Sequence, residues 1–364
     1  MSRDVIIIGA GIFGCELALQ FENAGYEVLL VEKESEILTG ASRFNQNRLH
    51  LGYHYPRSRE TALQAIESYH DFSARFSSAI RKGKESLYCV SKSDSLVSFE
   101  EYVQFCDDLE LDYKVLPTCS FKESLNLDLV HDHIISTNEA VFDIDVIKRN
   151  LERFVRNSNV EVAYKTKVKK ILVGERGNNI LVENGKFVQG GIIINCTYSE
   201  INKLFEEREF QIPLKFQNVI LPLINCGVKI PAMTIMDGPF CSILPKGLTE
   251  ETYILSNVGT SVLQEKSDVT ELKQLDSYDK KFFAQAVYES CLNYFPVLKK
   301  ASVIDSWVVR KALTTNKDDR RTTNVHRLPG TRIYAVLQGK VSTSRLVFEE
   351  IIKLEDEKKV VRDC

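Results

Sequence analysis

The chain has 364 residues, of which 44% are hydrophobic and 27% charged, and a formal net charge of −3. That is room for two lobes with ordinary globular cores, and the small negative charge supplies no global field for nucleic acid or an anionic membrane. Nine cysteines, odd in number and without a C-x-x-C pair, argue against a disulfide framework and fit a reducing cytoplasm, the expected compartment. No stretch reaches the roughly 20 apolar residues that span a bilayer, no metal-ligand set is assigned, and the basic clusters Lys165–Lys170 and Lys317–Arg321 read as solvated faces.

Val5–Ile8 is a short apolar run behind Arg3. It is too short for a signal-peptide core and reads as a strand buried on both faces. Gly9-Ala10-Gly11-Ile12-Phe13-Gly14 follows, and then a helix to about Asn23, stopped by Gly25. Val28–Val31 is a second buried strand, closed by Glu32. A polar loop occupies 40–57, and apolar residues at helical spacing from Thr61 to Ile80 predict an amphipathic helix. After Gly83 the pattern changes to short strands with intervening helices, among them Leu87–Ser91, Phe99–Leu109 and Asp145–Val155. Val160–Val173 and Asn179–Val188 alternate as antiparallel strands, with Asn184-Gly185 a hairpin signal. Gly191–Asn195 is another buried strand, a β-rich stretch runs from about Gln211 to Gly259, and a helix is predicted around Tyr278–Tyr294. Asp237-Gly238-Pro239-Phe240 reads as a turn, and Ile333–Leu337, Gln338-Gly339-Lys340 and a helix from about Ser342 close the chain.

A lone G-x-G-x-x-G is a weak signal, but here it follows a buried strand and opens a helix inside a βαβ unit. Gly9 permits the tight turn, Gly11 lets a pyrophosphate approach the backbone, and Gly14 allows close helix–strand packing. The phosphates are expected on the helix N-terminus, beside Ile12 and Phe13. Glu32, followed by Lys33, falls where a carboxylate accepts ribose hydroxyls. A nicotinamide dehydrogenase would continue with βα units, whereas this chain enters a polar loop and then strand-rich sequence. The strand–Gly–helix junction at Gly339 gives a second grip for a long cofactor, with Lys340, Val341, Ser342 and Thr343 at a helix N-terminus suited to negative charge on a reduced flavin. FAD is the expected cofactor.

These residues resemble the D-amino-acid oxidase and glycine oxidase (DAO) family of FAD-dependent oxidoreductases, through VIIIGAGIFG, VLLVEKES, Gly40-Ala41-Ser42, Ile194-Asn195-Cys196-Thr197 and the Gly339 turn. The resemblance covers both ends and part of the middle. It implies an α/β fold: a discontinuous Rossmann-type FAD-binding domain (1–85, 141–205 and 325–364) with a second, mixed β-sheet substrate domain (86–140 and 206–324). It also implies that Ser42 and Arg43 approach the pyrophosphate and flavin, that Val168 lies near the adenine, and that Thr197 joins the cofactor site. Two departures touch substrate inference: Asn-Cys-Thr-Tyr at 195–198 replaces the usual Asn-Ala-Thr-Gly, and Lys340 replaces the residue that usually follows the last glycine.

Residues 45–57 crowd Asn45, Gln46, Asn47, Arg48, His50, Tyr53, His54, Tyr55 and Arg57 into one segment, which the resemblance places along the isoalloxazine ring. Asn45, Gln46 and Asn47 are expected at the cofactor. His50, His54 and Tyr53 are candidate catalytic residues, because histidine moves protons at neutral pH. Satisfying backbone groups in a buried connection is the alternative. Arg310, in Ser306-Trp307-Val308-Val309-Arg310, sits where family members carry a substrate-carboxylate arginine and is the fourth candidate; a salt bridge is its structural alternative. The expected reaction is hydride transfer from the C–H of a small amine or amino acid to flavin N5, with oxygen or another molecule as electron acceptor. A 2-hydroxy-acid or alcohol dehydrogenase or oxidase, a nicotinamide-dependent dehydrogenase and a non-catalytic FAD-binding scaffold remain as alternatives.

Overall fold

A computed structural model describes residues 2–81, 85–174, 178–205, 210–238, 240–315 and 320–362. Gly83, Pro239, Cys364 and the first part of the Lys317–Arg321 cluster lie outside the described residues. The chain folds as two compact units, one of residues 1–43, 145–214 and 321–364, the other of 44–144 and 215–320. The stretch 44–85, which the resemblance puts with the first domain, clusters with the second unit.

The first unit is built on five parallel strands in the order Glu161–Ala163, Val28–Val31, Ser2–Ile8, Phe187–Asn195 and Ile333–Leu337. The central runs are apolar on both faces because both are covered: Val5, Ile6, Ile7, Ile192, Ile193 and Ile194 are fully buried. Helix Ile12–Asn23 makes the crossover between the first two strands and packs on the last helix, Ser344–Arg362, where Phe21 meets Phe348 edge-on at 5.0 Å. Two expectations change here. The region 160–188 yields a separate short strand, Glu161–Ala163, that joins the parallel sheet, followed by Val168–Leu172 and Asn178–Val182. The Asn184-Gly185 turn then leads into one long strand, Phe187–Asn195, whose beginning pairs antiparallel with Asn178–Val182 and whose later part lies parallel to Ser2–Ile8.

The second unit contains a nine-stranded mixed sheet. Its central strands run Leu214–Asn225, Thr252–Asn257, Cys241–Pro245, Ala232–Met236, Ser86–Ser91 and Val130–Thr137, and Ser302–Thr314 pairs with Leu214–Asn225. Alternation divides its faces. Met233, Ile235 and Ile243 join a core with Ala284, Val287 and Cys291 of helix Lys280–Leu292. Their neighbours Thr234, Tyr88 and Ser242, which stand opposite one another in register, point to the other face. The predicted helix over 61–80 runs Arg59–Arg75 and stops short, because Ile80–Arg81 pairs as a strand with Val141 and Phe142. That tertiary pairing overrides the helical spacing.

Candidate active site

In the first unit the residues expected at the dinucleotide gather at the carboxyl ends of four adjacent parallel strands, where ligands of open α/β sheets bind. Gly9 leaves the first strand with φ of +97°, and a methyl group at Gly14 would overlap the Gly9 carbonyl oxygen. Gly11 caps the helix without a side chain and the first turn carries no acid, so no carboxylate of the helix itself competes for its positive end. The Ser42 hydroxyl accepts from Ile12 N at 3.1 Å and lies 3.1 Å from where a Cβ on Gly11 would stand. Phe13 is buried in the same turn.

At the end of the second strand, the Glu32 carboxylate accepts from Ala10 N at 2.6 Å and Glu34 N at 2.9 Å. It is thereby held beside the glycine turn with lone pairs left for further donors. Lys33 pairs with Glu200 at 2.9 Å; burial opposes ionisation of Glu200, but Lys33 and Lys203 together outweigh it and hold the carboxyl below its ordinary value. Arg43 is similarly engaged, with Glu36 at 3.7 Å and Asp145 at 3.5 Å. Val168 is buried two residues beyond Thr166, whose N–H donates to the Glu32 carbonyl at 2.9 Å.

The third strand end carries Thr197, whose hydroxyl donates to Asn195 Oδ1 at 2.7 Å. The next residue, Tyr198, has φ of +57°; the position keeps a left-handed backbone although the family's glycine is replaced. At the fourth end a Cβ on Gly339 would collide with the Arg321 carbonyl and the Thr322–Thr323 backbone. The Thr323 hydroxyl accepts from Gly339 N at 2.9 Å and Lys340 N at 3.4 Å and bonds the Thr343 hydroxyl at 2.6 Å. Val341, Ser342 and Thr343 form the turn into the helix, with Ser342 and Thr343 buried. A helix N-terminus with no acid in its first turn, an anchored carboxylate and a second glycine junction together fit a dinucleotide.

In the second unit, residues 45–57 take part in a buried polar network. Asn45 Oδ1 accepts from Asn47 N at 2.7 Å, and Gln46 Nε2 donates to Ser242 Oγ at 2.8 Å. Asn47 has φ of +58°, is 1% exposed, and among the described residues its Oδ1 has no hydrogen-bond partner. Such a buried acceptor is open to a donor from outside the chain, water included. Arg48 donates to the Tyr88 hydroxyl, to Thr234 Oγ1 at 2.5 Å and to Glu139 Oε2 at 3.4 Å. Glu139 also accepts from the Tyr88 hydroxyl and from Leu51 N at 2.8 Å. The Arg48 and Glu139 side chains are only 4% and 1% exposed.

Burial opposes the charge on Arg48, but Tyr88 and Glu139 more than offset it. Burial pushes the Glu139 carboxyl up, with Arg48, Tyr88 and Leu51 N pulling back. Three donors converge on its two oxygens, the arrangement of an ionised carboxylate. Burial also raises Tyr88 far above its ordinary value, so the phenol stays protonated and donates.

Both histidines sit against this pair. His54 Nδ1 is 3.4 Å from Arg48 Nη1, and His50 Nδ1 is 3.8 Å from Glu139 Oε1. His50 Nε2 is 3.3 Å from the Tyr55 hydroxyl, and the two imidazole centroids are 5.4 Å apart. The other two catalytic candidates are placed elsewhere. Tyr53 is buried with its hydroxyl donating to the Asp112 carbonyl at 2.5 Å. Arg310 donates to Asn218 Oδ1 at 3.2 Å and the Lys273 carbonyl at 2.9 Å. It alternates with Trp307, which meets Phe44, and shares its face with Val308 of the core beneath helix Lys280–Leu292. That is the sheet face opposite Tyr88 and Thr234, so Arg310 is not brought to the histidines. Sequence reasoning missed Glu139, Tyr88 and Thr234.

A parallel sheet whose four strand ends present this set of groups defines a dinucleotide-binding protein. The chain belongs to the FAD dependent oxidoreductase (DAO) family, whose profile matches residues 4–336. It is 23% identical over 356 residues to the FAD-dependent monooxygenase FPY4 of Fusarium mangiferae, covering 96% of this chain and 90% of that protein. Its fold is similar to that of glycine oxidase from Geobacillus kaustophilus, with a TM-score of 0.75, 13% identity, and 98% and 95% of the two chains covered. It is also similar to dithionite-reduced L-α-glycerophosphate oxidase from Mycoplasma pneumoniae with FAD bound, with a TM-score of 0.76, 14% identity, and 97% and 94% covered. The protein is an FAD-dependent oxidoreductase. Among the described residues no helix is long and apolar enough to cross a membrane, and no group of three or more His, Cys, Asp or Glu could hold a metal ion.

Proposed function

We propose that the protein oxidises a small alcohol or 2-hydroxy acid, the carbon losing a hydride to flavin N5 and the hydroxyl losing a proton to a histidine. In this reading the first unit is the FAD-binding domain and the second the substrate domain. Bound FAD supplies the two-electron acceptor, which passes its electrons to oxygen or another acceptor. The groups proposed to hold it are the Gly9–Gly14 turn, Glu32, Ser42, Thr197 and the Gly339–Thr343 junction. Asn47 Oδ1 takes a donor from cofactor or substrate.

The observation that carries the substrate class is the placement of His50 and His54 against a buried ion pair. An alcohol has an O–H proton to remove as its C–H bond breaks, and imidazole is suited to receive it. The sequence favours an amine or amino acid anchored through Arg310. With Arg310 engaged by Asn218 and Lys273, that reading loses its carboxylate anchor and stands second, favoured by the likeness to glycine oxidase. The name of FPY4, a monooxygenase, directs attention to oxygen as the acceptor.

Anaerobic mixing of the FAD-loaded protein with alcohols, 2-hydroxy acids, amines and amino acids tests this reading. Loss of the flavin's visible absorbance with hydroxyl substrates supports it. Bleaching by amines or amino acids alone overturns the substrate class.

A further inference from the structure

The Arg48–Glu139 pair touches both histidines, one through each partner, and the chemistry of the two contacts is opposite. A guanidinium only donates hydrogen bonds. At 3.4 Å from Arg48 Nη1, His54 Nδ1 is therefore an acceptor, which leaves the ring proton on Nε2. The adjacent fixed positive charge disfavours a second one on the same imidazole. Glu139 only accepts when ionised. His50 Nδ1 lies 3.8 Å from Glu139 Oε1, within the field of the negative charge, which favours a proton on that nitrogen; His50 Nε2 is then the acceptor, facing the Tyr55 hydroxyl at 3.3 Å. A carboxylate behind one ring nitrogen fixes the tautomer and makes the other nitrogen more basic.

We propose that the buried Arg48–Glu139 pair divides the labour of the two histidines, making His50 the base through Nε2 and His54 a neutral hydrogen-bond donor through Nε2–H. Neighbouring groups whose environments drive them apart take separate acid and base roles. The inference rests on the proposed alcohol oxidation for its chemistry. There the substrate CH–OH loses a hydride from carbon to the cofactor and a proton from oxygen to His50 Nε2, directly or through Tyr55, and a C=O remains. His54 Nε2–H meanwhile donates to a polar group of the substrate and orients it. Glu139 and Arg48 are positioning residues, since they act through the imidazoles. Among the described residues, Tyr55 faces both rings, Tyr88 packs near His54 and bonds both charges, and Tyr69 is raised by burial and by the charge of Glu139. Burial holds Tyr53 and Tyr102, next to Tyr88, well above their ordinary values, so both stay neutral.

Long-range proton–nitrogen NMR of the FAD-loaded protein without substrate tests this directly, with the His50→Gln and His54→Gln spectra assigning the resonances. The expected result is His50 protonated at Nδ1 and His54 at Nε2 in their neutral forms, with His54 taking its second proton at lower pH than His50. Matching tautomers, or His54 charging first, overturn the inference. Glu139→Gln should lower the His50 titration midpoint by about one pH unit or more, and an unchanged midpoint also overturns it. If that variant fails to fold, the wild-type tautomers alone decide. Because no turnover is involved, a substrate panel that rejects alcohols would defeat the proposed reaction while leaving the tautomer result standing.

Discussion

Replacing Arg48 by Met removes one member of a charge pair that is almost wholly out of water. The Arg48 Nη1 to Glu139 Oε2 separation is 3.4 Å. At an effective dielectric constant of ~20, unit charges at that distance attract by about 5 kcal/mol, most of which offsets their desolvation. Methionine fills the stem's volume but leaves Glu139 with only the Tyr88 and Leu51 donors. Breaking a buried pair from one side costs about 3–5 kcal/mol, and that is the expected loss. Urea unfolding of the FAD-loaded variant reads it as a lower midpoint at unchanged slope. The deficit should shrink as pH falls, because the stranded Glu139 carboxyl, already pushed up by burial, escapes its unpaired charge by taking a proton. The double variant Arg48→Met, Glu139→Leu should recover at least about 2 kcal/mol of the loss, as apolar replacements of buried pairs do. A loss below about 1 kcal/mol for Arg48→Met, or a double variant as unstable as the sum of the singles, would show that the pair is not a closed unit.

Three further outcomes follow from the same geometry. Glu32→Ala deletes a carboxylate that accepts two main-chain N–H groups and, in the proposed site, the ribose; at about 1.5–3 kcal/mol per charged hydrogen bond, FAD affinity should fall by one to two orders of magnitude in a flavin-fluorescence titration. Arg310→Met should leave the rate of flavin reduction by substrate within about twofold while lowering stability by roughly 1–3 kcal/mol, since it strands Asn218 and the Lys273 carbonyl; a collapse in rate would return Arg310 to the substrate. Burial lowers His326 from its ordinary 6.5. Between that lowered value and about 6.5 the folded chain binds fewer protons than the unfolded one, so stability rises with pH across the window and is lost on acidification through it. His326→Gln should flatten that slope in pH-dependent thermal melts.

The cofactor half was legible because its signals are local. Val5–Ile8, Val28–Val31 and Ile333–Leu337 are apolar on both faces, and the glycines that must sit beside backbone lie in the same short stretch as the strand they follow. The histidine loop was legible only as a concentration of side chains. Its organiser, Glu139, lies between two strands where a carboxylate is unremarkable, and it meets Arg48 across 91 residues of chain. Tyr88 and Thr234 reach the network from strands whose alternation tells that they share a face only once the register is known. Arg310 failed for the same reason: the strand was readable but the face was not. The resemblance put 44–85 with the first domain, and nothing in the local sequence says which core helix Arg59–Arg75 packs into.

The first unit is assembled from three stretches of chain, and the last of them contributes a strand paired with Phe187–Asn195 and a helix packed on Ile12–Asn23. In biosynthesis this fixes a sequence of events. The glycine turn leaves the ribosome well before the Gly339 junction does. The nascent chain therefore carries Phe21 and the edge of Phe187–Asn195 uncovered until Ile333–Leu337 and the helix after it have been made. A chain cut ahead of Ile333 therefore lacks both the strand that pairs with Phe187–Asn195 and the helix that covers Phe21, and quality control meets it as unfinished.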